Sequence, residues 1–244
     1  MDRAGRGRDM TIDPVIVASR LDAVRDRIRA AGSDPDEITI CAVTKGFGPD
    51  AVRAAVDAGL YDIGENYAQE LASKADDLAG AVDGVRWHMI GGLQRNKVRR
   101  LAPLVSCWQS VDRVQLGDEI ARRAPGARVL VQVAAVDHDG EVLEPGKSGA
   151  DPEVVPALVG HLRTLELDVA GLMSVGPTDA TLDPRPGFDL VTTLADTLDL
   201  PVRSMGMSRD LETAVACGST MVRLGTALFG PRPRGATASA RPDV

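Results

Sequence analysis

The chain has 244 residues, of which 44% are apolar and 26% are charged, and it carries a formal net charge of −7 at pH 7. This length is sufficient for one large domain with a well-filled core, and no apolar run approaches the roughly eighteen residues that a membrane span requires. The negative charge disfavours nucleic acid and anionic membranes as partners, so we expect an ordinary soluble, cytoplasmic protein.

The N-terminal segment and the three cysteines carry no targeting or disulfide signal. Residues 1–11 are polar and Arg-rich with no apolar segment behind them, which is typical of a flexible extension rather than a targeting peptide. Cys41, Cys107 and Cys217 are isolated, odd in number and set among apolar neighbours. This pattern favours buried, reduced thiols and indicates neither a disulfide framework nor a metal site.

An amphipathic helix is predicted to begin the globular part of the chain. Asp13 can cap this helix, Pro14 suits its first turn, and Gly32 would end it. The next predicted helix spans residues 49–58 and ends at Gly59. The apolar face of the first helix is formed by Val17, Leu21, Val24 and Ile28.

Short β-branched runs then alternate with helical stretches along the chain. Strands separated by helices imply parallel pairing with right-handed crossovers, and eight such units predict one TIM-type (β/α)8 barrel over residues 12–230. A doubly wound sheet is the alternative. Residues 231–244 lack apolar periodicity and are predicted to be a disordered tail. The eight predicted strands span residues 38–43, 60–63, 86–90, 104–108, 128–133, 167–174, 202–205 and 220–224.

A lysine follows the first predicted strand directly. Catalytic and binding residues of such barrels lie at the C-terminal ends of strands, and the run Ala42-Val-Thr-Lys45 would deliver this lysine to the barrel mouth. A desolvated ammonium group has a lowered pKa, and its amine is then nucleophilic toward an aldehyde, as Schiff-base chemistry requires. The alternative is an ordinary surface lysine just past a strand.

Two more polar side chains lie at or near the ends of the next strands. Asn66 follows the second strand and could bond a ligand oxygen, or it could cap the helix that begins near Tyr67. His88 lies inside the apolar third strand. It is either a ligand-binding or acid–base residue, or a hydrogen-bonded histidine of the core.

The last two strands end in sequences that suit a phosphate group. Glycines allow close approach of backbone N–H groups, and the hydroxyls of Ser208 and Thr226 could open short helices whose N-termini favour an anion. Ser208 could equally be a simple helix cap. Arg223 alternates with apolar neighbours on the last strand, so its side chain points either into the barrel or into the helix layer, and in both places it needs a partner.

A basic cluster follows the third strand. Arg95, Lys97, Arg99 and Arg100 lie within six residues of one another. The cluster indicates either a solvated helix face or an anion or effector site near the barrel mouth.

These motifs resemble the pyridoxal 5'-phosphate (PLP) homeostasis proteins, a single-barrel family similar to the N-terminal domain of bacterial alanine racemase. The resemblance covers roughly residues 12–231. It departs from the usual pattern at Gly92, where proline is common, and at Gly46-Phe47-Gly48, and both departures concern the shape of the loops at the pocket entrance. Its anchors are Ala42-Val-Thr-Lys45, Gly64-Glu-Asn-Tyr-Ala-Gln-Glu70, Trp87-His-Met-Ile-Gly91, Leu93-Gln94, Asn96-Lys97, Lys147-Ser-Gly149, Gly171-Leu-Met173, Ser204-Met-Gly-Met-Ser208 and Val222-Arg-Leu-Gly-Thr-Ala-Leu-Phe-Gly230.

The resemblance implies a fold-type III PLP site without a metal. It implies that Lys45 forms the Schiff base with PLP, that Arg223 faces the pyridine nitrogen, and that Asn66 lies beside the ring. The phosphate is expected on Ser204, Gly225 and Thr226. The full set of residues predicted to bind the cofactor is Lys45, Asn66, His88, Met173, Ser204, Gly206, Arg223, Gly225 and Thr226.

In such a family the expected role is to store or deliver PLP, with apo forms of PLP-dependent enzymes as partners and without established catalytic turnover. A racemase-like enzyme is the alternative, but it needs two acid–base groups on opposite faces of the substrate. In alanine racemase the second group comes from a C-terminal β-domain that we expect to be missing here, which also favours a monomer. A sugar-phosphate isomerase or aldolase that uses Lys45 on the same barrel is a third possibility.

Overall fold

The computed structural model describes residues 12–144 and 148–232. The predicted extension over residues 1–11, Lys147 of one resemblance motif, and most of the predicted tail lie outside the described residues. The expectations for those segments and for the domain boundaries stay predictions.

Eight parallel strands close into one barrel in chain order, because each strand pairs with its neighbour in sequence and the first also pairs with the eighth. This confirms the predicted (β/α)8 barrel and rules out the doubly wound sheet. The strands are β1 (Thr39–Val43), β2 (Asp62–Glu65), β3 (Arg86–Met89), β4 (Val105–Val111), β5 (Arg128–Val133), β6 (Asp168–Ser174), β7 (Val202–Ser204) and β8 (Met221–Leu224).

Helices surround the barrel and bury their apolar faces against it. Among the described residues, no helix is long and apolar enough to cross a membrane. The helices are α1 (Pro14–Ala30), α2 (Pro49–Asp57), α3 (Ala68–Leu78), α4 (Arg95–Leu101), α5 (Val114–Arg123), α6 (Val155–Thr164), α7 (Arg185–Thr197), α8 (Leu211–Ala216) and α9 (Thr226–Phe229).

The first helix, α1, contacts the last two helices, α8 and α9. The side chain of Asp13 accepts a hydrogen bond from the backbone N–H of Val15, and the predicted apolar face of α1 is fully buried. Arg20 donates to the carbonyl of Leu228 on α9 (3.1 Å), and Arg27 pairs with Glu212 on α8 (2.6 Å). Since α8 and α9 follow β7 and β8, α1 supports the rim where those strands end.

The second strand begins two residues later than predicted. The backbone N–H of Leu60 bonds the carbonyl of Ala55 (2.9 Å), and Gly59 has a φ of +83°. This is the hydrogen-bond pattern that ends a helix on a left-handed glycine. Leu60 therefore forms part of the turn that ends α2. Strand β2 begins at Asp62 and extends further than predicted, to Glu65.

The three cysteines are free and buried, as the sequence predicts. Burial raises the pKa of the Cys107 thiol to about 12, and it raises the pKa of Cys217, helped by Asp189, to about 12. A thiol of this kind is protonated at neutral pH and unreactive.

Candidate functional site

Lys45 lies in a tight turn at the C-terminal end of β1. The backbone N–H of Phe47 bonds the carbonyl of Thr44 (3.0 Å), and Gly46 has a φ of +76°. Glycine suits the third position of such a turn because a positive φ costs it little. The Gly46-Phe47-Gly48 segment, which departs from the family pattern, therefore forms a tight, well-defined turn.

The amine of Lys45 is half-buried at the barrel mouth. Burial lowers its pKa, and the positive charges of Arg232 and Arg223 lower it further. The Nζ atom donates to Oδ1 of Asn66 at 3.4 Å. A larger neutral fraction than that of an ordinary lysine makes this amine a better nucleophile.

Asn66 faces the lysine rather than capping a helix. The N-cap of α3 is Tyr67, and no side chain caps that end. A Cβ atom on Gly91 would lie 2.2 Å from the carbonyl oxygen of Asn66, so only glycine allows the loop after β3 to pack this closely. The glycine therefore helps to place the amide beside Lys45.

The ends of β7 and β8 form the opposite part of the rim. Gly206 has a φ of +93°, and a Cβ atom there would lie 2.6 Å from Cβ of Ala214. The hydroxyl of Ser208 accepts the backbone N–H of Ala227 (3.0 Å), which links the two strand ends. In the described part of the chain, no acceptor bonds the backbone N–H of Thr226. This rim can present hydroxyl and N–H donors to an anion.

Arg223 points into the barrel. Its guanidinium donates to the carbonyl of Ser204 (2.6 Å), the hydroxyl of Ser204 (2.7 Å) and the carbonyl of Ser174 (2.6 Å), and the residue is 4% exposed. Burial lowers its pKa to about 10. The group therefore stays charged at neutral pH, directly below the rim of β6 and β7.

The hydroxyl of Ser204 is used inside the barrel. The residue is fully buried; it accepts from Arg223 and donates to Oε1 of Gln109 at 2.7 Å. Both of its hydrogen-bonding functions are thus occupied. The predicted phosphate contact of Ser204 stays a prediction, and the geometry favours Ser208 as the hydroxyl near a ligand.

His88 belongs to a hydrogen-bonded chain through the barrel interior. Its Nδ1 lies 2.7 Å from Nε2 of Gln109, and its Nε2 lies 2.9 Å from Oδ1 of Asp62. Asp62 is also bonded by Arg86. With Ser204 donating to Oε1 of Gln109, the amide nitrogen must donate to Nδ1, so a neutral His88 carries its proton on Nε2.

This chain of hydrogen bonds leads away from Lys45, to the opposite end of the barrel. A cavity of about 430 Å³ opens among the N-terminal ends of the strands, and His88, Asp62 and Arg86 line it. The structure therefore places His88 as a bonded core histidine, and its predicted cofactor contact stays a prediction. A second cavity of about 340 Å³ lies beyond β5 and β6, at the rim that carries Lys45.

Met173 is fully buried inside the barrel. It packs with Cys107, Leu130 and Ala170, and in the sheet it is paired with Ser204. This position fits a residue that supports the floor of the mouth, and direct contact with a cofactor stays a prediction.

The basic residues of α4 lie at the surface, which is compatible with a solvated helix face and with an anion site alike. Arg95, Arg99 and Arg100 are exposed, and Lys97 is half-buried. No acidic partner bonds these four residues within the part of the chain that the structure describes.

Sequence reasoning missed a buried charged cluster next to Lys45. Lys74 on α3 pairs with Glu65 (2.5 Å) and Glu70 (3.4 Å), and the Lys74 and Glu65 side chains are 5% and 0% exposed. The available signal was a lysine on the apolar face of α3, between Leu71 and Leu78. A charge in that position needs a partner, and the partners are the two glutamates.

The fold and the rim define a closed (β/α)8 barrel with a desolvated lysine, a facing amide and a buried arginine around one mouth. Residues 19–233 match the family described as alanine racemase, N-terminal domain, and the chain belongs to this family. The match confirms the resemblance drawn from the sequence motifs.

Relatives and solved structures agree with this assignment. The pyridoxal phosphate homeostasis protein of Pseudomonas aeruginosa is 39% identical over 221 residues, covering 88% of this chain and 94% of the relative. The structure of PipY from Synechococcus elongatus PCC7942, with PLP bound, has a TM-score of 0.75 at 31% identity and covers 88% of this chain and 100% of PipY. Alanine racemase from Streptomyces coelicolor shares the fold, with a TM-score of 0.70 at 22% identity over 90% of this chain and 59% of that one.

Proposed function

We propose that this protein binds PLP at the C-terminal mouth of the barrel and serves PLP homeostasis. When bound, PLP supplies an aldehyde that can condense with a lysine amine. Lys45 is the residue that would hold it as a Schiff base. One observation carries the assignment: Lys45 presents a half-buried amine of lowered pKa at the mouth of a barrel that is 31% identical to PipY.

The residues around the mouth fit the chemical groups of PLP. Asn66 lies beside Lys45 and can bond a ring substituent, while Ser208, Gly225 and Thr226 offer donors suited to a phosphate. Arg223 supplies a fixed positive charge inside the barrel. These contacts would orient the cofactor and exclude water from the amine.

The same arginine argues for holding PLP rather than transforming amino acids. A guanidinium facing the pyridine nitrogen disfavours protonation there, and an unprotonated ring is a weaker electron sink. We therefore propose storage or delivery of PLP, with apo forms of PLP-dependent enzymes as recipients. We further propose that the protein acts as a monomer in the cytoplasm, where its free thiols would stay reduced.

The test begins with covalent attachment. Purified protein incubated with PLP should turn yellow, lose that colour on borohydride treatment, and carry the added mass on the peptide that contains Lys45. A reducible adduct on another lysine, or none, would refute the assignment of Lys45.

A second measurement tests the role. Protein loaded with PLP should activate an apo-enzyme at the same rate when a trap for free aldehyde is present, if transfer is direct. Complete suppression by the trap would contradict direct delivery, and racemisation of an added L-amino acid would favour the racemase-like alternative.

A further inference from the structure

The turn that carries Lys45 is held by charged side chains, of which Lys74 and Glu65 are buried. Nζ of Lys74 donates to the carbonyl of Thr44 (2.7 Å), and Oε2 of Glu70 accepts the backbone N–H of Gly46 (2.9 Å). The hydroxyl of Thr44 donates to Oε1 of Glu65 (2.6 Å). The residues on both sides of Lys45 are thus fastened, while the lysine side chain itself is left to face the mouth.

The cluster is one connected unit. Lys74 joins Glu65, from the end of β2, to Glu70, from the first turn of α3. Burial raises the pKa of Glu65, and the neighbouring Lys74 opposes that rise. The second carboxylate oxygen of Glu65 is buried and has no hydrogen-bond partner among residues 12–144 and 148–232.

Such a cluster is a poor device for stability alone. Removing charges from water often offsets the attraction of a buried ion pair, and apolar residues of similar volume frequently stabilise as well or better. An apolar side chain in place of Lys74 or Glu70 would, however, leave the carbonyl of Thr44 or the N–H of Gly46 without this partner. Geometry at the turn is what the cluster specifically supplies.

We propose that Glu65, Glu70 and Lys74 are positioning residues that fix the Thr44–Phe47 turn and so place the amine of Lys45 for covalent capture of PLP. The inference rests on the proposed function. The cluster touches the backbone on either side of the lysine and leaves the phosphate rim of β7 and β8 to other residues.

Glu70 offers the cleanest variant because its side chain is 24% exposed and its loss leaves Lys74 paired with Glu65. Glu70→Ala removes the acceptor for the N–H of Gly46, and Glu70→Gln retains one. Asp76→Ala is the matched control, because Asp76 is exposed on the same helix and makes no side-chain bond among the described contacts.

Two probes separate positioning from general damage to the pocket. The rate of covalent capture is followed by absorbance after PLP is added to the apo-protein. Affinity for the rest of the site is measured with pyridoxine 5'-phosphate, which has the ring and phosphate but no aldehyde. Glu70→Ala should slow capture by about tenfold or more, as a misplaced reacting group does, and leave the affinity for pyridoxine 5'-phosphate unchanged.

Rescue completes the test. Glu70→Gln and Asp76→Ala should both capture PLP at close to the wild-type rate. Equal rates for Glu70→Ala and wild type, or a parallel loss of affinity for pyridoxine 5'-phosphate, would overturn the inference. So would a Glu70→Gln protein as slow as Glu70→Ala.

A double variant removes both members of the buried Glu65–Lys74 pair together, so that neither is left as an unpaired buried charge. Glu65→Leu combined with Lys74→Met should fold, slow capture similarly and spare the affinity for pyridoxine 5'-phosphate; an unchanged rate would refute the role of the pair. If the wild-type protein forms no adduct on Lys45, the proposed function fails first. If the wild-type protein forms the adduct and every variant captures PLP at the wild-type rate, only the positioning role fails.

Discussion

The two sides of the barrel mouth support their cations in different ways. On the β1–β2 side, charged side chains hold the backbone around Lys45, and the lysine amine has one long contact with a described residue, Asn66. On the β6–β8 side, carbonyls and a hydroxyl hold the guanidinium of Arg223 directly.

This difference suits the role that we propose for each cation. An amine that forms a covalent bond must lose its proton and remain free at its tip, so support for its backbone is the useful kind. An arginine that faces a ring nitrogen must keep its charge and orientation, so direct hydrogen bonds to neutral acceptors are useful. The pKa of Lys45 is lowered by burial, whereas that of Arg223, at about 10, still leaves it charged at neutral pH.

The largest expected effect is on the β1–β2 side. Lys45→Ala should abolish the adduct trapped by borohydride while leaving the affinity for pyridoxine 5'-phosphate nearly unchanged, because the proposed ring and phosphate contacts come from the other strands. Mass spectrometry and titration with the two ligands check this. If the variant lost the affinity for pyridoxine 5'-phosphate together with the adduct, the contrast between the two sides of the mouth would be wrong. Lys45 would then support the pocket as a whole.

The next largest effect is expected from Gln109, in the hydrogen-bonded chain inside the barrel that supports Arg223. Gln109→Leu leaves Nδ1 of His88 without a donor and the O–H of Ser204 without an acceptor, so we expect a loss of about 2–4 kcal/mol in the free energy of unfolding. Urea denaturation measures it, with exposed Gln115→Leu as the control. Losses of equal size in both variants would show that the interior hydrogen bonds make no specific contribution to the free energy of unfolding.

A smaller effect, on stability at acid pH, is expected from Asp62 at the other end of this chain of hydrogen bonds. Burial alone would raise the pKa of Asp62, but hydrogen bonds from Arg86 and His88 lower it below its ordinary value. The contribution of Asp62 to stability is therefore present above the unfolded-state pKa of about 3.9 and is lost as the pH falls through the lower folded-state value.

Asp62→Asn removes this contribution. The variant should be less stable at neutral pH and should lose less of its remaining stability between about pH 4 and 2. Denaturation midpoints across that range check the sign. A variant with the same acid dependence as wild type would contradict the role of the carboxylate.

The smallest expected effect concerns the stability of the protein without ligand. Because the pKa of Lys45 is lowered on folding, the unfolded chain binds its proton more tightly, and the charged lysine opposes folding at neutral pH. Lys45→Met should raise the urea midpoint slightly at pH 7. The gain should shrink as the pH rises through the lowered pKa toward about 10.4. A lower midpoint at pH 7 would contradict the desolvation of this amine.

Local patterns predicted the fold well. The alternation of β-branched runs and amphipathic stretches predicted eight βα units, and the glycines that end helices marked their boundaries, apart from β2, where Leu60 belongs to the end of α2. Lys45 was found because an apolar strand that ends in a lysine is unusual. The strand ends also drew attention to Asn66, Arg223 and the glycine-rich rim, and the family resemblance gave each of them an expected role.

The sequence by itself determined the barrel and the candidate lysine, because hydrophobic periodicity and strand ends are local properties. Only the tertiary structure decided that Arg223 points inward, that Ser204 and His88 are bonded within the barrel, and that Lys74 meets Glu65 beside the Lys45 turn. Each of these contacts joins different strands or helices. Their partners therefore depend on how the barrel closes, which no local pattern contains.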